Sequence, residues 1–184
     1  RGRYETILTE TALDAWIARL EAAPAFALDT ETTSLNPMQA ELVGISFAVQ
    51  PGEAAYVPLR HDYPGAPHQL AADEVLAALR PWLEDERAAK VGQNTKYDTH
   101  VLANHGITVR GWRHDTLLES YVLEAHMKHS LESLAERHLG RKGLAYEDLC
   151  GKGANQIPFS QVDVQRATEY SGEDSEMTLH VHQT

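Results

Sequence analysis

The sequence predicts an α/β fold: a central mixed sheet of three antiparallel strands, extended by parallel ones and flanked by helices. Three observations carry this expectation. Apolar runs at Phe26–Asp29, Leu42–Val49 and Ala54–Pro58 follow one another with turn-forming residues between them, the pattern of an antiparallel meander. Beyond them, the short runs Ala88–Val91 and Val109–Trp112 alternate with stretches of helical period, as parallel additions to a sheet require. From Ser160 onward the chain is one long stretch of helical spacing.

Each element has a local justification. Tyr4–Thr9 reads as a short strand. Thr11 offers a helix N-cap with Asp14 in the capping-box position, and Leu13, Trp16, Ile17 and Leu20 follow at helical spacing until Pro24. Phe26–Asp29 is a strand with Asp29 at its tip and Glu31 just beyond. Ser34-Leu35-Asn36-Pro37 and Pro51-Gly52-Glu53 mark turns, and His61–Gln69, polar and rich in Pro and Gly, reads as a loop. Asp73–Trp82 sets Val75, Leu76, Leu79 and Trp82 on one helix face. Asn94 caps a helix running to about Asn104, which Gly106 ends. Asp115 caps the apolar helix Leu117–Leu123. Leu131, Leu134, Ala135 and Leu139 form a helical stripe, a short helix lies near Tyr146–Leu149, and Ser160 caps the final helix.

One domain spanning residues 1–184 is the economical organisation, since this length supports a single well-buried core and no repeat, low-complexity tract or linker divides it. A composition of 42% hydrophobic and 23% charged residues is that of a folded globular chain. Cys150 is the only cysteine, which rules out an internal disulfide and a Cys-rich zinc site and points to a reducing compartment. No apolar signal region follows the N-terminal charges, and Leu42–Val49 is too short to cross a bilayer. A cytoplasmic monomer without membrane contact is therefore expected. The first residue is not methionine, which leads to the expectation of a segment cut from a longer protein. The net charge of −11 argues against a broad basic surface for duplex nucleic acid. It does not exclude a nucleic-acid enzyme, because clustered acids that bind divalent cations make a site more negative empty than loaded.

Three short patterns carry the chemistry: Asp29-x-Glu31 at a strand end, Asn94-x-x-x-Asp98 at a helix start, and Tyr170-x-x-x-Asp174 on the last helix. Residues at i and i+4 share a helix face, so Tyr170 points with Asp174 and Asn94 with Asp98. Each pattern alone has an ordinary explanation. Asp-x-Glu suits a solvated turn, Asp98 suits the positive end of a helix dipole, and Tyr170 suits a core tyrosine with its hydroxyl at the edge. Asp115 is a rival acid better explained as a cap. His126-x-x-His129 has metal-like spacing but no cysteine partner, and His180 and His182 read as exposed. Lys90, Lys96 and Lys152 are candidate phosphate contacts, though lone lysines are more often solvated.

In combination the patterns mean more. The chain resembles the 3′→5′ proofreading exonuclease domains of bacterial family A DNA polymerases, within the tyrosine branch of the DEDD exonucleases. The resemblance is carried by Asp29-Thr30-Glu31-Thr32, Lys90 to Asp98, Ser133 to Arg137, Gly151 to Gln156, and Tyr170 with Asp174. It implies a ribonuclease-H-like fold and two divalent ions, Mg²⁺ or Mn²⁺, as all-carboxylate ligation favours. Asp29, Glu31 and Asp174 would hold the first ion; Asp29 would bridge to the second, which Asp98 would hold through its waters. Tyr170, whose phenol is too weak a base near neutrality, would orient the attacking water. Leu35 would wedge between the terminal bases and Tyr146, where relatives carry phenylalanine, would stack on the end. Glu31 and the Thr32 backbone would bind the terminal 3′-hydroxyl, with Gln93 and Asn94 near the strand.

The implied partners are a single-stranded 3′ end of DNA and the polymerase domain of a parent chain. The rivals are a catalytically silent exonuclease-like module and an RNA-processing exonuclease of the same superfamily. The four carboxylates favour activity over the first, and the stretches between Ser133 and Gln156 favour DNA over the second. One departure stands out: Ser171-Gly172 sits inside the last helix, where an interior glycine costs about 1 kcal/mol relative to alanine and predicts a looser turn.

Overall fold

The strand that carries the acidic pair is also the strand at which the sheet changes character. The computed structural model describes residues 2–33, 36, 38–115, 149–151 and 156–183. Within it, β1 (Arg3–Thr6), β2 (Phe26–Thr32), β3 (Leu42–Gln50), β4 (Glu53–Pro58), β5 (Lys90–Gly92) and β6 (Trp112–Asp115) lie in the order β1-β4-β3-β2-β5-β6. β2, β3 and β4 form the expected antiparallel meander. β5 adds parallel to β2 and β6 parallel to β5, while β1 adds parallel to β4 at the far edge. The ladder between β2 and β5 registers only Phe26 with Lys90 and Ala27 with Val91. Beyond Ala27, β2 runs on with β3 as its one described ladder partner, and this overhang carries the acids.

Side-chain alternation along the strands sorts two layers of packing. Phe26 and Leu28 point into the main core with Leu42, Ile45, Phe47 and Val57. That face is covered by α1 (Glu10–Ala22) through Leu13, Trp16 and Leu20, by α2 (Ala72–Leu83) through Val75, Leu76, Leu79 and Leu83, and by α3 (Thr95–Ala103) through Val101 and Leu102. Each such side chain, taken fully out of water, contributes roughly 1.5–3 kcal/mol. The other face carries Ala27, Ala48, Ala54 and Val91, which pack with Leu179 of α4 (Val164–Gln183). Small residues predominate there because α4 crosses β1 to β5 at close range.

Two glycines make that close approach possible. A Cβ on Gly44 would lie 2.0 Å from the Tyr56 hydroxyl, so the Tyr56 ring can lie across β3 only where β3 has no side chain. A Cβ on Gly172 would lie 3.2–3.3 Å from Tyr4. At Ser171-Gly172, expected to be a looser turn, the glycine leaves room for Tyr4 of β1 against α4.

Other differences concern boundaries. Thr9, not Thr11, caps α1, its hydroxyl accepting from the Ala12 N–H at 3.2 Å. β2 continues to Thr32, so Asp29 lies inside the strand and Glu31 with it, because β3 pairs along the whole length. Leu83 is buried in α2 and Trp82 is only half-buried, which puts Leu83 on the apolar face in its place. β5 and β6 begin later than expected, and β6 runs on to Asp115, beyond which the helix expected there lies outside the described residues. The final helix is capped by Asp163, whose Oδ2 accepts from the Gln165 and Arg166 N–H groups, while Ser160 sits in a 3₁₀ turn, Phe159–Gln161. The expected helices at Leu117–Leu123 and Leu131–Leu139 lie outside the described residues. Among those described, no helix is long and apolar enough to cross a membrane.

The Gly44–Tyr56 contact generates a prediction. Gly44→Ala overpacks a site that cannot relax and should cost about 1–3 kcal/mol. It should appear as a lower urea midpoint with an unchanged m-value; an unshifted midpoint would show that Tyr56 can move aside.

Candidate active site

Asp29 and Glu31 are two residues apart on β2 and therefore point to the same face, the face that α4 covers. Opposite them on β3 stand Ser46 and Gly44. The ladder then skips Val43, pairing Thr32 with Leu42, so a bulge lies immediately beyond Glu31. Bulges turn side chains out of register at strand ends, and this one follows the acidic pair.

On α4, Tyr170 and Asp174 fall one helical turn apart on one side. One carboxylate oxygen each from Asp29, Glu31 and Asp174 lie within 4.8 Å of one another. Oxygens on opposite sides of a single Mg²⁺ sit about 4 Å apart, so this group suits one ion after slight closure. The donor set is all oxygen, which suits a hard cation. Tyr170 is half-buried, its ring tilted against Phe159 with centroids 6.0 Å apart.

Asp98 arrives from the opposite face of the sheet. Asn94 holds the N-cap position of α3 as expected, though without a side-chain capping bond, and Asp98 lies in the first turn. Its Oδ1 accepts from the Thr30 hydroxyl at 2.6 Å, and Thr30 points away from Asp29 and Glu31. Asp98 is nearly fully buried and outside the three-oxygen group. It still borders the same cleft, because β5 ends early and leaves the outer side of β2 to α3. The cleft holds about 730 Å³ and is bounded by Asp29, Glu31, Asp98, Tyr170 and Asp174. Thr32, Gln93 and Asn94 also line it, as expected.

Packing acids together has an electrostatic consequence. Burial pushes the Asp29 carboxyl up to about 7, against the opposing effect of a hydrogen bond from the Thr30 backbone. Glu31 is raised well above the usual carboxylate range, by burial first and then by the charges of Asp29 and Asp174. Ser171 opposes this, donating to Glu31 Oε1 at 2.9 Å. The neighbouring Tyr56 phenol is also raised, by burial and by the charges of Glu31 and Asp29. Such a cluster is poised for a cation that removes the repulsion.

Several residues were not legible in the sequence. In the sequence Ser171 reads only as a departure and Thr30 only as part of a motif, and nothing singles out Phe159. Tyr97, beside Asp98 in a recognised stretch, bonds the Thr32 hydroxyl at the cleft wall. Lys90 is no phosphate contact: it is wholly buried, its ammonium donating to the carbonyls of Asp85 and Ala88 at 3.0 and 2.6 Å. Lys96 is exposed. His180, expected exposed, is half-buried with Nδ1 3.9 Å from Glu176. Leu35, Tyr146, His126, His129 and Lys152 lie outside the described residues, as does the His182 side chain.

Fold and site together define a ribonuclease-H-like exonuclease domain. A family A DNA polymerase model described as a 3′–5′ exonuclease matches residues 4–184. The chain is 50% identical over 183 residues to DNA polymerase I of Pseudomonas aeruginosa, covering 98% of this chain and 20% of that protein. It is 42% identical over 196 residues to DNA polymerase I of Rhizobium leguminosarum, covering 97% and 19%. The chain thus spans about a fifth of the length of these curated relatives. Among solved structures, Escherichia coli RNase D, described as an exoribonuclease involved in structured RNA processing, superposes with a TM-score of 0.67 at 20% identity, covering 98% of this chain and 44% of that one. The POL domain of Pol1 from M. smegmatis gives 0.71 at 20% identity, covering 97% and 26%. The chain belongs to the 3′–5′ exonuclease family found within bacterial DNA polymerase I.

The raised carboxyls predict the pH dependence of metal-free stability. The folded-state value of Asp29, about 7, lies above its ordinary 3.8, so the native state takes up a proton between these values. Stability rises as pH falls through 7 toward 4 and is lost as pH climbs back. In chelator, the melting temperature at pH 5.5 should exceed that at pH 8 by a few degrees. Asp29→Asn should flatten that difference and raise the pH 8 value; a melting curve that falls toward pH 5.5 would contradict the assignment.

Proposed function

We propose that the chain is a divalent-metal-dependent 3′→5′ exonuclease domain. It removes deoxynucleoside 5′-monophosphates from a single-stranded or frayed DNA 3′ end and serves as the proofreading domain, residues 1–184, of a longer polymerase. The observation that carries this reading is the convergence of Asp29, Glu31 and Asp174 within 4.8 Å, with Tyr170 one turn away on the same helix. The preference for DNA rests on the relatives, which are DNA polymerases I at up to 50% identity; the likeness to RNase D speaks to fold alone.

Asp29, Glu31 and Asp174 would hold one ion, and Asp29 with Asp98 a second, Mg²⁺ or Mn²⁺ by the hardness of the donors. When bound, a pair of such ions supplies an activated water and neutralises charge on both the attacking and the leaving oxygen. The chain's own part is positioning. Thr30 fixes Asp98 by its 2.6 Å bond, so this acid is directed to the cleft without a flexible tether. Tyr170, braced by Phe159, orients the attacking water through its hydroxyl. Glu31 and the Thr32 backbone bind the terminal 3′-hydroxyl, while Gln93, Asn94, Leu35 and Tyr146 hold the strand end. The net charge of −11 leaves affinity for the rest of the DNA to the polymerase part of the parent.

A 5′-labelled oligonucleotide with Mg²⁺ or Mn²⁺ tests this directly. The chain should produce a ladder of 3′-shortened products, and no ladder would sink the proposal. Asp29→Ala should lose about 10³-fold or more, the scale of several kcal/mol of charge stabilisation. Tyr170→Phe removes one hydrogen bond and should lose about 10- to 100-fold, so a Phe variant as inactive as Asp174→Ala counts against its role. Equal shortening of an RNA oligonucleotide would favour the RNA-processing alternative.

A further inference from the structure

We propose that Ser171 is a positioning residue that sets the divalent-cation affinity of the acidic cluster by fixing the Glu31 carboxylate. The proposal rests on reading that cluster as a metal site. Ser171 is wholly buried and sits on α4 between Tyr170 and Asp174. Its hydroxyl donates to Glu31 Oε1 at 2.9 Å. An interior helical serine commonly turns its hydroxyl back to the carbonyl four residues earlier; here it reaches across to β2.

The geometry explains why Glu31 needs such a partner. Glutamate has a long side chain whose rotamer freedom is expensive to freeze. Glu31 stands opposite Gly44, which offers no side chain to hold it, and beside a bulge that ends the regular ladder. The carboxylate can accept several hydrogen bonds, so one given to Ser171 leaves others for a cation. Asp174 and Ser171 belong to the same helix, three residues apart, so one rigid element both supplies a ligand and holds the ligand opposite. Gly172, the next residue, leaves room for Tyr4 of β1 against the same helix. With the Ser171 side chain removed, the Glu31 carboxylate loses the buried donor that fixes it from the α4 side. Loss of such an outer partner typically weakens a metal site about 10- to 100-fold.

Mn²⁺ binding to the metal-free chain, without DNA, provides the test. Free Mn²⁺ is followed by electron paramagnetic resonance for the unaltered chain, Ser171→Ala, Ser171→Cys and Asp174→Ala. The expected result is a dissociation constant raised about 10-fold or more in Ser171→Ala. Ser171→Cys keeps the size and a weak donor, should fall between, and serves if the alanine variant does not fold. In cleavage assays the Ser171→Ala rate should return to within about threefold of the unaltered rate at saturating Mn²⁺, a recovery that a merely structural defect would not show. Affinities within twofold for all Ser171 variants, or a maximal rate that stays depressed, overturn the proposal. If the unaltered chain shows no Mn²⁺ binding that Asp174→Ala abolishes, the metal-site reading fails first and takes the proposal with it.

Discussion

Everything at the cleft depends on how closely α4 lies against the sheet. A helix carrying Asp174 can meet Asp29 and Glu31 only if the side chains between the two surfaces are small. The sequence supplies Ala27, Gly44, Ser46, Ala48 and Ala54 on the sheet side and Ser171, Gly172 and Ser175 on the helix side. Polar pairs then fix the register of the contact: Thr6 with Thr168 and Ser46 with Ser175, both at 2.6 Å, and Ser171 with Glu31. A purely apolar seam would tolerate sliding by a turn at little cost, whereas each of these hydroxyls would lose a buried partner.

A second constraint acts on the same face of the sheet, from β4. The Tyr56 ring fills the place a side chain at position 44 would occupy, and its hydroxyl lies 2.7 Å from His61 Nε2. His61 Nδ1 is 2.9 Å from the Val162 carbonyl, which can only accept, so Nδ1 carries the proton and Nε2 accepts from Tyr56. Burial lowers the His61 pKa and favours this neutral form. The chain of contacts runs on to Phe159 and then to Tyr170. Tyr170 is therefore linked, through Phe159 and a core histidine, to Tyr56 of β4 in the same sheet that carries the acids.

The site is held together at some cost. Carboxyls driven upward by burial, and at Glu31 by neighbouring charges as well, weaken the metal-free fold, a common trade between stability and function. The apolar core between the sheet and α1, α2 and α3 offsets it. This division has a spatial logic: one face of the sheet is packed for stability and the other for chemistry. Asp98 crosses between them because β5 leaves the outer side of β2 to α3.

The sequence by itself determined the meander and the alternation that follows it, and through a family resemblance it pointed to the five residues at the centre of the cleft. Those features are local: strand and helix periodicities are written in neighbouring residues, and the acids fall at short fixed spacings. Tertiary structure decided what depends on residues far apart in the chain. That Asp29 lies inside its strand follows from β3 pairing through to Thr32, and that Asp163 rather than Ser160 begins the last helix follows from the turn at Phe159–Gln161. The bond from Ser171 to Glu31 joins residues 140 positions apart, and that from Thr30 to Asp98 joins residues 68 apart. No periodicity records such pairs, because each exists only when two separately formed surfaces are brought into contact.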